Sequence, residues 1–202
     1  MKKSLLTLIS IMFVLILYSS NVFSATVSGF EYYHDGRLRQ NISGTLKNSC
    51  GGMAALHALN YDARSHGNRI TIANSKKKVK KAIKRIANYV GNSVYSYFSV
   101  YDLKRIMENR WRWGYVSLTA RGSFDNEYKR LQRHLNNDIP VITLMKGNST
   151  FCKSNINHFV LVYGADDYRV KYVDPWNGQK KFASKSEFKR KWHNYNAIAG
   201  KR

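Results

Sequence analysis

Three residues of this 202-residue chain have the types and order of a thiol-based reactive centre, namely Cys50, His158 and Asp174. Cys50 stands where a short polar turn gives way to an apolar segment that favours a helix. A thiol at a helix N-terminus lies among unpaired backbone N–H groups and the positive end of the helix dipole, which lower its pKa. A histidine can take the thiol proton and a carboxylate can orient that histidine. The expected chemistry is nucleophilic attack by Cys50, with a buried structural cysteine as the alternative.

His158 and Asp174 lie at the open ends of a predicted β-hairpin. Residues 159–163 and 169–173 are rich in β-branched and aromatic residues, and the polar turn between them centres on Asp166. This turn sets His158 directly opposite Asp174. Opposed residues of an antiparallel pair share one face, with Cβ atoms about 4.5 to 5.5 Å apart, so the carboxylate could accept a hydrogen bond from the imidazole. A slip of one residue in register would destroy this contact.

The other elements follow from hydrophobic periodicity and capping signals. The segment from Cys50 to Ala63 predicts a helix with one buried stripe, and the two histidines on or just after it, His57 and His66, are interpreted as structural. The remaining predicted elements are a short strand within residues 27–33, a helix beginning at the Ser99–Asp102 capping box, a strand over 113–120, a helix over 127–135, a central strand over 141–145, a helix beginning at the Ser184–Glu187 capping box with Phe188 and Trp192 on its buried side, and a closing strand at 197–199.

Residues 76–90 predict an amphipathic helix with a strongly basic outer side. The chain carries 34 Lys and Arg against 12 Asp and Glu, a formal net charge of +22. The basic face from Lys76 to Arg85 could bind an anionic surface or could simply be solvated. The apolar stripe is narrow and lacks Trp, Phe or Leu, which favours a helix packed on the core. No specific nucleic-acid partner is expected.

The N-terminus has the three parts of a secretory signal peptide. Lys2 and Lys3 precede an unbroken run of apolar and hydroxyl residues over 4–18, and small residues follow up to Ser24. We expect cleavage after Ser24, which gives an exported, periplasmic or secreted chain of residues 25–202 with a single domain and no membrane span. An uncleaved membrane anchor is the alternative.

The two cysteines could pair, since an exported protein meets an oxidising compartment. A bond between Cys50 and Cys152 would block thiolate chemistry until it is reduced, and the sequence alone does not decide this. No metal or cofactor is expected, because neither a phosphate-binding loop nor ligand spacing is present. The histidines without such spacing are His34, His57, His66, His134 and His193.

An ordered set of short motifs resembles one family. The motifs are Arg39-Gln40, Ser49-Cys50-Gly51, Leu59-Asn60-Tyr61, Phe98-Ser99 with Asp102-Leu103-Lys104, Ile139-Pro140-Val141-Ile142, His158-Phe159-Val160, Asp174-Pro175 with Gly178, and Glu187-Phe188 with Trp192. Together they resemble the bacteriocin-processing, or C39-like, double-glycine peptidases, which are papain-like cysteine peptidases. The resemblance implies a papain-like α+β fold in which N-terminal helices pack on an antiparallel sheet. It covers nearly all of residues 25–202.

The resemblance also implies roles for individual residues. Cys50 would be the nucleophile, His158 the general base and Asp174 its orienting group, while Gln40 and the backbone N–H of Cys50 would form the oxyanion hole. Two features depart from the family pattern. Gln40 stands farther before the cysteine than usual, with residues 42–45 resembling an insertion, and Gly52 replaces the usual Pro or Ala.

The expected function is that of an exported thiol peptidase acting on a peptide or protein substrate. Family members typically cut leader peptides after Gly-Gly, through a thioester intermediate. Two alternatives stay open. One is a cell-wall peptide hydrolase or acyltransferase that uses the same groups. The other is a catalytically silent, basic binding module on the same fold.

Overall fold

The computed structural model describes residues 24–33, 36–40, 46, 48–65, 75–93, 95–110, 114–117 and 122–201. Its helices are α1 (Phe30–Tyr33), α2 (Cys50–Ser65), α3 (Lys76–Tyr89), α4 (Val100–Arg105) with a π-helical turn at Ile106–Arg110, α5 (Phe124–Asn136) and α6 (Lys185–Lys191). Its strands are β1 (Ala25–Thr26), β2 (Gly114–Ser117), β3 (Val141–Met145), β4 (His158–Ala165), β5 (Arg169–Asp174), β6 (Gln179–Ser184) and β7 (Trp192–Lys201).

All of these strands join one antiparallel sheet. The strand order is β2-β7-β3-β4-β5-β6, and the short β1 pairs with the far end of β4. Helix α2 packs on β4 and β3, and β4 is buried at all eight positions. The expected α+β arrangement, with N-terminal helices on an antiparallel sheet, is therefore present. The predicted signal peptide lies outside the described residues except for Ser24, and none of the described helices is long and apolar enough to cross a membrane.

Helix α2 is more deeply buried than its sequence indicates. Every residue from Cys50 to Ala63 is buried, including the polar His57 and Asp62. The prediction of one buried stripe is wrong because α2 is enclosed by the sheet on one side and by α1, α3 and α4 on others. Its many small residues, with alanine at four positions in the buried part, allow neighbours to approach on every side.

The hairpin of β4 and β5 exists, but its register differs from the prediction. Leu161 pairs with Val173 and Val162 pairs with Tyr172, and a bulge follows at Tyr163. The turn lies closer to Arg169 than expected, since the backbone N–H of Asp166 bonds the carbonyl of Arg169. His158 and Asp174 are consequently not directly opposed. The error is two residues, which leaves both on the same face as diagonal neighbours.

Capping explains most helix starts. Ser99 and Asp102 form the predicted reciprocal capping box of α4. Ser184 caps α6 as predicted, but the carboxylate of Glu187 contacts Thr150 and Arg190 instead of the cap backbone. The second capping box is therefore only half formed.

Several boundaries also differ. Trp192 is buried beside Phe188, with ring centroids 4.9 Å apart, yet it begins β7 and does not belong to α6. Helix α5 begins earlier than predicted because Ser123 caps it. The strand expected within residues 27–33 is replaced by β1 and α1. The central strand β3 and the closing strand within β7 are confirmed, and β2 occupies the described part of the strand predicted over 113–120.

Helix α3 has the predicted amphipathic form. Val79, Ile83 and Ile86 are buried, while all seven of its Lys and Arg side chains are exposed. Ser75 caps its first turn. The helix is thus held by its apolar stripe, and the binding of an anionic surface by its basic face stays a prediction.

A close crossing of two chain segments shapes the turn that joins β5 to β6. The turn at residues 175–178 ends at Gly178, whose φ is +70°, and a Cβ there would lie 2.5 Å from the carbonyl oxygen of Gly36 and 3.0 Å from that of Leu38. The backbone N–H of Gln40 also bonds the carbonyl oxygen of Pro175, at 2.8 Å. Only glycine fits at position 178, for conformational and steric reasons.

We expect Gly178→Ala to destabilise the protein more than Gly91→Ala. Gly91 has a similar φ of +79° but nothing within 4 Å of the added Cβ, so it isolates the cost of the backbone conformation. That cost is about 1 to 2 kcal/mol, and the clash at residue 178 adds to it. Denaturant unfolding of both variants measures the difference, and equal losses would show that the crossing is not tight.

Candidate active site

Cys50 is the first residue of α2 and is 7% exposed. Glycines place it close to the sheet. A Cβ on Gly51 would lie 2.8 Å from Cβ of Phe98 and 3.1 Å from the ring of Phe159, and one on Gly52 would lie 3.0 Å from the Phe98 ring. The first turn of α2 can approach β4 and Phe98 this closely because Gly51 and Gly52 lack side chains. The unusual Gly52 therefore accommodates the ring of Phe98.

His158 begins β4 and is buried between two partners. Its Nε2 lies 3.0 Å from Oδ1 of Asp174, the last residue of β5. The imidazole also interacts with the Cys50 thiol, whose pKa it lowers. With Nε2 directed at the carboxylate, Nδ1 is the ring nitrogen left for the sulfur. The structure therefore brings Cys50, His158 and Asp174 together in the order that the sequence predicts.

The electrostatics of these groups favour an ion pair. Burial alone would raise the pKa of the Cys50 thiol, but the hydrogen bond and charge of His158, with backbone hydrogen bonds at Phe159 and Gly51, lower it overall. Burial would lower the pKa of His158, yet the hydrogen bonds to Asp174 and Cys50 raise it. Both shifts favour the pair of a thiolate and an imidazolium over the neutral pair.

The carboxylate of Asp174 accepts hydrogen bonds on both oxygens. Oδ1 accepts from the backbone N–H of Trp176 at 2.9 Å, and Oδ2 accepts from Nζ of Lys181 at 2.7 Å. Burial opposes ionisation, but the contacts with His158, Lys181 and Trp176 outweigh it and lower the pKa of Asp174 to about 2. Asp174 is therefore a permanent anion beside His158.

Sequence analysis did not assign Lys181 to the site. The turn after Asp174 could have pointed to it, because β5 and β6 form a hairpin there and Asp174 pairs with Gln179. Lys181 is two residues farther along β6 and so lies on the same face as Asp174, as a diagonal neighbour.

Gln40 reaches the same site through the crossing near Gly178. Its side chain is 1% exposed, and its Nε2 donates to the carbonyl oxygen of Leu46 at 3.0 Å. That carbonyl also accepts from the backbone N–H of Ser49, directly before the cysteine. Residues 41–45, with the apparent insertion, lie outside the described residues. Although Gln40 stands farther before Cys50 in the sequence than is usual in the family, its amide lies beside the start of α2.

A cavity of about 410 Å³ opens at these residues. Gln40, Cys50, His158, Asp174 and Lys181 all line it. The exposed aromatic side chains of Tyr97 and Trp176 stand at its rim, 53% and 43% exposed. A substrate in this cavity would lie within reach of the sulfur and the imidazole.

The loop over residues 146–157, between β3 and β4, forms another wall of the cavity. Sequence analysis did not assign this loop to the site. The loop is tied to itself, since the N–H of Asn148 bonds the carbonyl of Ser154 at 2.7 Å and the N–H of Ser149 bonds that of Cys152 at 2.8 Å. Phe151 anchors it by packing on Tyr172, with ring centroids 4.9 Å apart. This wall is therefore a built part of the cleft.

Cys152 belongs to this wall, and both cysteines are free thiols in the structure. The pairing of Cys50 with Cys152 is thus not formed, and the nucleophile candidate is available. Within the described ranges, no cluster of His, Cys, Asp and Glu side chains could hold a metal ion. Buried His57 lies in the middle of α2, away from the residues that line the cavity.

Comparison with known proteins bears on the family and the fold. Residues 33–200 match the model of the Peptidase_C39 like family. Among solved structures, a crystal structure of a candidate C39-like peptidase from Bacillus anthracis superposes with a TM-score of 0.62 at 16% identity, covering 89% of this chain and 98% of that one. No curated protein matches the sequence significantly. The structural match shows a shared fold, in agreement with the α+β class expected from the sequence.

We expect Cys50 to react with iodoacetamide well below pH 8.5, where an ordinary thiol is largely protonated. His158→Ala should move this reactivity to higher pH, because the imidazole that lowers the pKa of the thiol is gone. Mass spectrometry after timed labelling measures the rate at each site, with Cys152 in the same molecule as the internal reference. Equal labelling profiles for the two cysteines would contradict the ion pair.

Proposed function

The chain belongs to the C39-like peptidase family, and on that premise we propose that it is an exported cysteine peptidase that cuts a peptide bond through a thioester of Cys50. The observation that carries this proposal is the position of His158, which hydrogen-bonds Asp174 and lines the same cavity of about 410 Å³ as the Cys50 thiol whose pKa it lowers. A purely structural cysteine would need neither the polarised histidine nor the open cleft.

In the proposed reaction the Cys50 thiolate attacks the carbonyl carbon of the scissile bond. A C–S bond forms, and the carbonyl electron pair moves to the oxygen. Protonated His158 gives its proton to the leaving nitrogen, the C–N bond breaks, and an acyl thioester stays on Cys50. His158 then takes a proton from water, the hydroxide attacks the thioester, and the thiolate leaves. Asp174 keeps the ring oriented through both steps.

Two donors are proposed to stabilise the oxyanion. The backbone N–H of Cys50 belongs to the first turn of α2, whose N–H groups have no partner within the helix. The buried Gln40 amide lines the same cavity and is fixed near residue 49 through Leu46. Preorganised donors of this kind are worth about 2.7 to 4 kcal/mol each in transition-state stabilisation.

The site of cleavage and the compartment are also proposals. Cleavage after Gly-Gly or another pair of small residues is supported by the sequence resemblance to double-glycine peptidases. Export is supported by the signal-peptide pattern of residues 1–24. A bacteriocin leader is not required as the substrate, since the family's transporter-fused members face the cytoplasm.

Two other functions use the same site differently. A cell-wall peptide hydrolase or an acyltransferase would form the same thioester, but from wall peptides or with an amine in place of water. A silent binding module would keep the fold without turnover. The second is disfavoured by the arrangement of Cys50, His158 and Asp174 at one cavity, which a binding module does not need.

We expect the purified chain to cleave peptides containing Gly-Gly faster than matched peptides containing Leu-Leu. Cys50→Ala should abolish turnover, and His158→Ala should lower kcat at least a thousandfold by loss of the base, in line with triad deletions elsewhere. His134→Ala, a histidine on α5 away from the cavity, is the matched control and should retain activity.

Mass spectrometry of the peptide products locates the cut, and incubation with cell-wall sacculi or with an added amine separates the two enzyme alternatives. Turnover that persists in Cys50→Ala would refute the mechanism.

We also expect the chain recovered from outside the cytoplasm to begin at Ala25. N-terminal mass spectrometry after expression of the whole sequence in a bacterial host tests this directly. Replacing the apolar residues Leu5 and Leu6 by Arg should prevent export, because the apolar region of a signal peptide would be interrupted. A chain that stays intact from Met1 would favour the uncleaved anchor.

A further inference from the structure

We propose that Lys181 is a positioning residue of the site, which acts on His158 through the carboxylate of Asp174. This inference rests on the proposed function, because it assigns Lys181 to the same proton-transfer group. Nζ of Lys181 lies 2.7 Å from Oδ2 of Asp174, and Nε2 of His158 lies 3.0 Å from Oδ1. The lysine and the histidine therefore hold opposite oxygens of one carboxylate.

Three donors fix the plane of this carboxylate. Oδ1 accepts from His158 and from the backbone N–H of Trp176, so Oδ2 has Lys181 as its donor in the described residues. Asp174 is 7% exposed in its side chain, so solvent is a poor substitute for the ammonium group. Without Lys181 the carboxylate would keep its charge beside the imidazole but would be held in its plane by fewer contacts. The orientation of His158 thus depends on a residue that does not touch it.

The ammonium group also has an electrostatic effect on His158. An unbalanced carboxylate would stabilise the imidazolium strongly, and the pKa of His158 is already raised by Asp174 and Cys50. Lys181 offsets the charge of Asp174 and so keeps the imidazolium able to release its proton to a leaving group. Among the described residues, the other lysine that lines the cavity is Lys153, on the wall over residues 146–157.

The neighbouring Lys180 provides a matched control. It lies on the same strand but on the opposite face, where its ammonium group contacts Glu31. Both lysines lie on β6 and both form an ion pair with a carboxylate. They differ in whether that carboxylate touches His158. Any general effect of removing one lysine from β6 should therefore appear in both variants.

The first experiment compares Lys181→Met, Lys181→Arg and Lys180→Met on the peptide substrate. We expect Lys181→Met to lower kcat about tenfold, since small misplacements of reacting groups have effects of this size or larger. KM should change little, and the alkaline limb of the pH profile should move to higher pH because the pKa of His158 rises. Lys181→Arg should recover most of the activity. Lys180→Met should behave as the unmodified chain. A rise in KM with unchanged kcat would instead make Lys181 a substrate contact and overturn the proposal.

The second experiment does not need turnover. In a Cys50→Ala background, the ring carbon signals of labelled histidines are followed by NMR as pH is varied. Adding Lys181→Met should raise the pKa of His158 by about half a unit or more, because a nearby cation is lost, while Lys180→Met should not. An unchanged His158 titration would overturn the proposal. If no peptide is cleaved by the unmodified chain, the proposed function fails, while this titration still decides the role of Lys181.

Folding is checked in the same samples. Unfolding midpoints and the dispersion of the NMR spectrum show whether Lys181→Met is native. Should that variant not fold, Lys181→Gln keeps a hydrogen-bond donor to Asp174 but removes the charge. It should still raise the pKa of His158, and a titration identical to that of the Cys50→Ala chain would overturn the electrostatic role.

Discussion

The site depends on how β4 and β5 are aligned at their open end. Leu161 pairs with Val173, and this register places His158 and Asp174 on one face as diagonal neighbours. A shift of one residue would send Asp174 to the opposite face and leave His158 without its acceptor. The hydrogen bond between the two residues is thus a property of the ladder and not of the side chains alone. Gly51 and Gly52 then complete the site, because their lack of side chains lets the start of α2, with Cys50, lie close to β4.

The charges of the site alternate along a single row. In the ionised form that the pKa shifts favour, the row consists of the Cys50 thiolate, the His158 imidazolium, the Asp174 carboxylate and the Lys181 ammonium group, each beside its opposite. Buried charges are tolerated when each is paired and hydrogen-bonded. The row as a whole is neutral, which explains how three of its members can be nearly inaccessible to water in a chain of such high net charge.

The sequence specified the chemistry of the site better than its geometry. Cys50 at a helix start and His158 and Asp174 at hairpin ends were recognisable from residue types and spacing, and the assumed register was wrong by two residues. The shared face survived because side chains alternate with a period of two. Gly164, beside the bulge at Tyr163, is of a residue type common at bulges, but the prediction placed it in the turn and so missed the shift in pairing. Lys181 required the register of a second hairpin.

Tertiary packing limited the prediction of buried residues in a similar way. The periodicity of α2 indicates a helix but not how many elements surround it, since that depends on the tertiary arrangement. The opposite held for α3, where a clear apolar stripe predicted the buried residues correctly. The wall over residues 146–157 has no regular periodicity, and its place at the cleft follows from the burial of Phe151.

The position of each strand in the sheet implies a hierarchy of local stability within the site. Strand β4 is central and buried at every position, so its amides should exchange with solvent only through global opening of the fold. Strand β6 is an edge strand, and edges open at lower free energy. His158 therefore belongs to the most protected part of the protein, while Lys181 belongs to a less protected part. Partial fraying of β6 would change the proton affinity of the base without dismantling it.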